Sequence, residues 1–230
     1  MKTQSIRFRG GMARVAAWHG RPDIASVALQ CRGAPSIDAI EGLMAELAAA
    51  GYHEIITNAL APGPSLPLID CGFEIRSRLH LLSFDFRGPA PKSTRRTRRA
   101  TAADRPAILR ADAAAFEEFW RLDDSGLDQA AHATPRSNLR VSRGDDVVGY
   151  GLFGRAERTG YVQRLAIDPR AQGQGWGRAL LDDGLRWLHS RGAHNAFVNT
   201  QVDNARALHL YEQAGFHRMP VGLCVLGRFL

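Results

Sequence analysis

The stretch that most constrains this chain runs from Tyr161 to Arg178, Y-V-Q-R-L-A-I-D-P-R-A-Q-G-Q-G-W-G-R. Residues 161–167 read as a buried strand, Asp168-Pro169 as its stop, 172–177 as a Gly-rich loop, and the continuation as a helix. That helix would place Trp176, Leu180, Leu181, Leu185 and Leu188 on one face and stop at Gly192. Gly173, Gly175 and Gly177 allow φ > 0 and a close approach of backbone to ligand. A helix beginning at the end of such a loop aims its unpaired N–H groups and positive dipole end at whatever the loop holds. Strand, loop and helix start therefore predict a phosphate or pyrophosphate site. The loop lacks the Lys-Ser/Thr pair of a Walker A loop. It also lacks a G-x-G-x-x-G followed by an acidic residue about 20 positions on, as dinucleotide binding requires.

At 230 residues the chain is long enough for one generous domain or two small ones. Its net charge of +7 is carried by arginine, since Lys2 and Lys92 are the only lysines. Such a surface suits nucleic acid, a phosphorylated cofactor or an acidic substrate, or is simply a basic surface of solvated and paired arginines. Cys31, Cys71 and Cys224 are odd in number and far apart, with no C-x-x-C, so neither a disulfide framework nor a metal site is expected. The first ten residues lack the apolar core of a signal peptide. No apolar run approaches the ~18–20 residues that span a bilayer. A cytoplasmic protein with no membrane partner is the expectation.

In the first half, Gly10-Gly11 between two extended runs reads as a hairpin, and Ile24 to Gln30 as a third strand. Ser36 is set as the N-cap of a helix over 37–50, with Gly51 at its end. His53 to Leu60 reads as a strand, A-P-G-P-S at 61–65 as a break, and Phe73 to Phe86 as extended. Residues 87–99 join a Gly/Pro linker to an arginine run, and Arg95, Arg96, Arg98 and Arg99 read as an exposed edge strand ahead of a nucleic-acid arm. Beyond it, Thr101-x-x-Asp104 is a capping-box start for a helix carrying Ile108, Leu109 and Phe116. A short helix over 125–133 and a hairpin over 138–153 with a G-D-D turn lead into the opening stretch. A strand over 196–200, a helix from Asn204 to Gly215, and closing strands follow.

That last helix carries N-A-R-A-L-H-L-Y-E-Q-A-G-F, with Asn204 at its start and Tyr211 about two turns on. Taken with the loop, it resembles the two signatures of the GCN5-related N-acetyltransferase (GNAT) superfamily: Gln172-Gly-Gln-Gly175-Trp-Gly177 is similar to Q/R-x-x-G-x-G/A, and Asn204 with L-Y-E-Q-A-G-F to the second. The order of elements in 95–230 is similar too. The resemblance implies an α/β (α+β) GNAT fold, a mixed central sheet flanked by helices. It implies acetyl-CoA as cosubstrate, with its pantetheine arm along Leu165, Ala166 and Ile167. Its pyrophosphate would lie on the amides of Gln172, Gly173, Gln174, Gly175, Trp176 and Gly177, with Arg178 adding charge. Asn204 would bond the cofactor near its thioester, and Tyr211 would protonate the leaving thiolate. Many members carry a glutamate base on the fourth or fifth strand; the matching positions here are Gln163 and Asn199, which cannot act as bases.

The first half, with L-P-L-I-D-C-G-F over 66–73, looks like a degenerate copy of the same fold. Its loop Cys31-Arg-Gly-Ala-Pro-Ser36 has one glycine and a proline without an N–H, and should hold no pyrophosphate. The expected organisation is a degenerate GNAT-like domain over 1–90, acting as a built-in pseudo-dimer partner of a catalytic GNAT domain over 91–230. A plain N-terminal extension is the alternative, and monomer and homodimer stay open. The expected activity is acetyl transfer to a primary amine of a small molecule or protein; the alternative is a non-catalytic acyl-CoA-binding or regulatory module. Nucleic acid is not the expected partner. Phe116, Phe119 and Trp120 are candidates for an apolar acceptor site or for core.

Overall fold

The computed structural model describes residues 4–8, 11–31, 33–88, 95–144 and 146–230. They fall into two compact units, one of Met1–Leu81, Thr200–Asp203 and Met219–Leu230, the other of Leu82–Asn199 and Asn204–Arg218.

In the first unit, strands β1 (Gln4–Phe8) and β2 (Gly11–Trp18) pair antiparallel up to Phe8↔Gly11, as a hairpin requires; the turn residues 9 and 10 lie outside the described residues. β3 (Arg21–Cys31) continues the antiparallel meander. Ser36 Oγ accepts from the Ala39 N–H at 3.3 Å and starts α1 (Ile37–Ala49), which buries Ala39, Ile40, Leu43 and Leu47 at helical spacing. Gly51, at φ +89°, turns the chain back into β4 (Glu54–Thr57), which runs parallel to β3.

The expected break over 61–65 is instead the first turn of α2 (Pro62–Asp70). Pro62 and Pro64 occupy first-turn positions whose N–H groups have no intrahelical acceptor, so proline costs little there. Ser65 bonds back through its hydroxyl to the Pro62 carbonyl at 2.9 Å. β5 (Glu74–Asp85) follows.

In the second unit, β6 (Thr97–Arg99) is an edge strand whose one strand partner among the described residues is β7 (Arg136–Ser142). Arg98 there grips Asp104 with two hydrogen bonds of 2.6 Å, and Asp104 closes the capping box with Thr101. Between the two strands lie α3 (Arg105–Ala115), a 3-10 turn (Glu118–Trp120) and α4 (Asp124–His132). Phe116, expected within the first of these helices, instead ends it in an extended conformation. β8 (Gly149–Ala156) and β9 (Thr159–Ile167) extend the antiparallel sheet; Asp145, in the expected turn before β8, is outside the described residues.

After β9 come α5 (Trp176–Ser190), β10 (Asn195–Gln201), α6 (Ala205–Gln213) and β11 (His217–Arg218). The order β10-β9-β8-β7-β6 is mixed, because β10 runs parallel to β9. Leu180, Leu181, Leu185 and Leu188 are fully buried, each contributing roughly 1.5–3 kcal/mol of burial. Trp176, expected on that face, is half-buried at its start. Gly184 allows the helix onto the sheet: a Cβ there would stand 2.1 Å from the Phe153 ring.

The last strand, β12 (Leu223–Phe229), completes the first unit. It runs antiparallel between β4 and β5, giving β1-β2-β3-β4-β12-β5, and Leu226 is fully buried in that unit's core. Among the described residues, no helix is long and apolar enough to cross a membrane.

Candidate functional site

β9 is held on one side and released on the other. It pairs with β8 along its whole length, from Ala156↔Thr159 to Gly149↔Ile167. Its parallel ladder with β10 has only three steps, ending at Phe197↔Tyr161. From Val162 to Ile167 the edge facing β10 therefore has no strand partner among the described residues. The same stretch bulges: Leu152 pairs with Arg164 and Phe153 with Val162, leaving Gln163 as the extra residue. An open strand edge beside a bulge offers main-chain donors and acceptors to an extended ligand.

Leu165, Ala166 and Ile167 lie on that edge, and the loop begins where they end. Asp168 accepts from the Arg170 N–H at 2.9 Å and starts a 3-10 turn over Pro169–Ala171. The Arg170 guanidinium holds its carboxyl down at about 2. Gln172 donates through Nε2 to the Ile167 carbonyl at 3.1 Å, and Gln174 to the Arg170 carbonyl at 3.3 Å, so both side chains brace the loop. Gly173 and Gly175 stand at φ +74° and +83°. A Cβ on Gly173 would meet nothing within 4 Å. The N–H groups of residues 173–178 take no main-chain partner among the described residues. This is an open cradle of amides at a helix start, and its chemistry fits a phosphoryl anion.

α6 comes up against the same helix start. A Cβ on Gly177 would lie 3.3 Å from Leu210 and 3.7 Å from Ile167, so strand end, helix start and α6 converge there. Arg178 points away from the cradle: it donates to Asp182 at 2.8 Å and to the Gln213 carbonyl at 3.1 Å, tying α5 to α6. Tyr211, next to Leu210, is buried, and its phenol makes no hydrogen bond among the described residues. Burial alone pushes its pKa upward, so it stays protonated. Asn204 caps α6, its Oδ1 accepting from the Ala207 N–H at 3.0 Å; the Nδ2 side of that amide is not used by the cap.

With strand, loop and α6 in place, the comparison with known proteins is decisive for the fold. Residues 105–216 match the acetyltransferase (GNAT) family. This is a GNAT fold. A GCN5-related N-acetyltransferase from Kribbella flavida has a similar structure over 98% of this chain and 89% of its own, with a TM-score of 0.68 at 16% identity. A tandem GNAT protein from the clavulanic acid biosynthesis pathway is similar over 96% of this chain and 79% of its own, at a TM-score of 0.64 and 13% identity. In sequence, the mycothiol acetyltransferase of Amycolatopsis mediterranei is 36% identical over 134 residues, 50% of this chain and 43% of that protein. The chain spans less than half the length of the curated relatives it matches.

Gln163 and Asn199, the two positions that the resemblance matched to a glutamate base, lie in different surroundings. Gln163 lies against Gly154, and its Oε1 is buried without a hydrogen-bond partner among the described residues. Asn199 is exposed, as are His194 and His209. No group of three His, Cys, Asp or Glu side chains among the described residues could hold a metal ion.

Two features gave no motif in the sequence. Asp112, on α3, is wholly buried and is held by Arg164, Tyr150 and the Leu122 N–H. This ties β8, β9 and α3 to the turn carrying Phe119 and Trp120. Its one local sign is a carboxylate inside the apolar stripe of Ile108, Ala111 and Ala115. The other feature is Arg95, whose guanidinium lies over the Trp176 ring at 4.7 Å.

Proposed function

We propose that this chain is an acetyl-CoA-dependent N-acetyltransferase. The observation that carries the reading is the released edge of β9 running directly into the amide cradle of residues 173–178. An extended pantetheine arm would pair along Leu165, Ala166 and Ile167, and the pyrophosphate would sit on the N–H groups from Gly173 to Arg178. Gln172, Gln174 and the Arg178 side chain would shape this site rather than bind in it. Asn204 would offer its Nδ2 donors to the cofactor near the thioester.

The acceptor amine would attack the thioester carbonyl carbon, and a β9 amide such as that of Leu165 would stabilise the oxyanion. As the C–S bond breaks, Tyr211 would donate to the thiolate. Because burial holds the phenol protonated, it is available as a donor throughout the neutral range. With Gln163 and Asn199 at the basic positions, the ammonium proton would leave through water. The mycothiol acetyltransferases among the relatives make a mycothiol-related amine the first acceptor to test.

The first unit reads as a degenerate GNAT copy. Its hairpin, third strand, α1, parallel β4, α2 and β5 repeat the order of β7 to β11, and the tandem GNAT protein is similar over almost all of the chain. Where β9 and β10 part, β3 and β4 stay bridged, since Asn58 Oδ1 accepts from the Leu29 N–H at 3.3 Å. No cofactor is assigned to this unit.

CoA release from acetyl-CoA across a panel of amines, polyamines, antibiotics and peptide N-termini tests the activity. Release that depends on one amine class supports it. A second reading, an acyl-CoA-binding module without catalysis, is favoured by the amides at 163 and 199; acetyl-CoA binding with no release to any amine would select it.

A further inference from the structure

Arg95 precedes edge strand β6 and is exposed, yet it reaches the loop. Its guanidinium lies over the Trp176 ring at 4.7 Å, and a Cβ placed on Gly175 would stand 3.8 Å from its Nε. Trp176 is the first residue of α5 and Gly175 its N-cap, so this cation stands at the lip of the amide cradle. Stacking engages the face of a guanidinium, whereas its donors lie in the plane and point sideways, a geometry suited to bidentate phosphate binding. The charge expected from Arg178 is turned instead toward Asp182 and the Gln213 carbonyl. Arg95 brings a different guanidinium to the same loop, from an element outside both sequence signatures.

We infer that Arg95 is a phosphate ligand of the acetyl-CoA site, held over the loop by Trp176. This rests on the acetyl-CoA reading above. Two phosphoryl groups of the cofactor share the required chemistry, the pyrophosphate and the 3′-phosphate.

Isothermal titration of the full chain with CoA and with 3′-dephospho-CoA tests it, in wild type, Arg95→Ala and Arg95→Lys. Arg95→Ala should weaken CoA by about 10-fold or more, the size expected of a hydrogen bond to a charged group. Arg95→Lys should fall between, keeping the charge without the planar fork. The ligand-free melting temperature of each variant, measured alongside, separates a loss of fold from a loss of phosphate binding. A loss confined to CoA assigns the 3′-phosphate, and a loss with both ligands assigns the pyrophosphate; either supports the inference. Arg95→Ala binding both ligands within about twofold of wild type overturns it and leaves the acetyl-CoA site standing. A wild type that binds neither ligand overturns the site and, with it, this inference.

Discussion

Arg164 holds Asp112 through two hydrogen bonds, 2.8 Å from Nε and 2.9 Å from Nη2, and the carboxylate it holds has no exposed surface. Tyr150 donates to the same carboxylate at 2.6 Å, and Arg164 also donates to the Trp120 carbonyl at 2.7 Å while lying 3.5 Å from the Phe116 ring centre. A buried pair gains little over an apolar pair, but breaking one leaves a charge stranded. Arg164→Met should therefore cost about 3–5 kcal/mol. Tyr150→Phe removes one hydrogen bond of several and should cost only about 1–2 kcal/mol. Denaturant titrations of the two variants check the ranking, and equal or reversed costs would refute it.

Two glycines in helices should respond with opposite signs. At Gly184 a Cβ would overlap the Phe153 ring, and this overpacking outweighs the helix propensity gained, so Gly184→Ala should destabilise by about 1–3 kcal/mol. At Gly42, inside α1, a Cβ would meet nothing within 4 Å, and Gly42→Ala should stabilise by about 0.5–1 kcal/mol. Urea midpoints of both variants decide it.

Asp168 carries a pH signature. Its folded pKa of about 2 lies below the ordinary value of about 3.9, so its contribution is present above that value and is lost as pH falls toward 2. Asp168→Ala should cost about 1 kcal/mol at neutral pH, as loss of a cap does. The gap between wild type and variant in urea midpoint should hold down to pH 4 and narrow below it. A gap that widens on acidification contradicts this assignment.

Tyr211→Phe keeps the buried ring and removes the hydroxyl proposed to protonate the leaving thiolate. CoA release with the best amine should fall at least about 100-fold, the low end for a general acid. Acetyl-CoA affinity by calorimetry should stay within about twofold, since the phenol is assigned no role in ground-state binding. Unchanged turnover would remove Tyr211 from the reaction.

Much of this was legible because it is locally encoded. Residues 161–192 announce strand, loop and helix through apolar runs, three glycines and a leucine stripe, and both GNAT signatures sit inside such local patterns. The capping box at Thr101 and Asp104 and the cap at Ser36 were readable for the same reason. What escaped depends on contacts between distant segments. Nothing near Arg95 marks Trp176 as its neighbour, and nothing in 223–229 says that this strand enters between β4 and β5. α2 escaped because prolines in a first turn look like a break. The bulge at Gln163 escaped because its cause is the pairing with β8, not the composition of β9.

The central claim is that the β9 edge and the 173–178 cradle together hold acetyl-CoA. Isothermal titration of acetyl-CoA into the full chain, beside Gly175→Val, tests it most directly. A β-branched residue at φ +83° is strained and cannot keep the loop as it stands. The account predicts saturable binding at one site per chain in wild type, and a loss of at least about 10-fold in the variant. Absence of binding to wild type, or equal binding by both proteins, would contradict it.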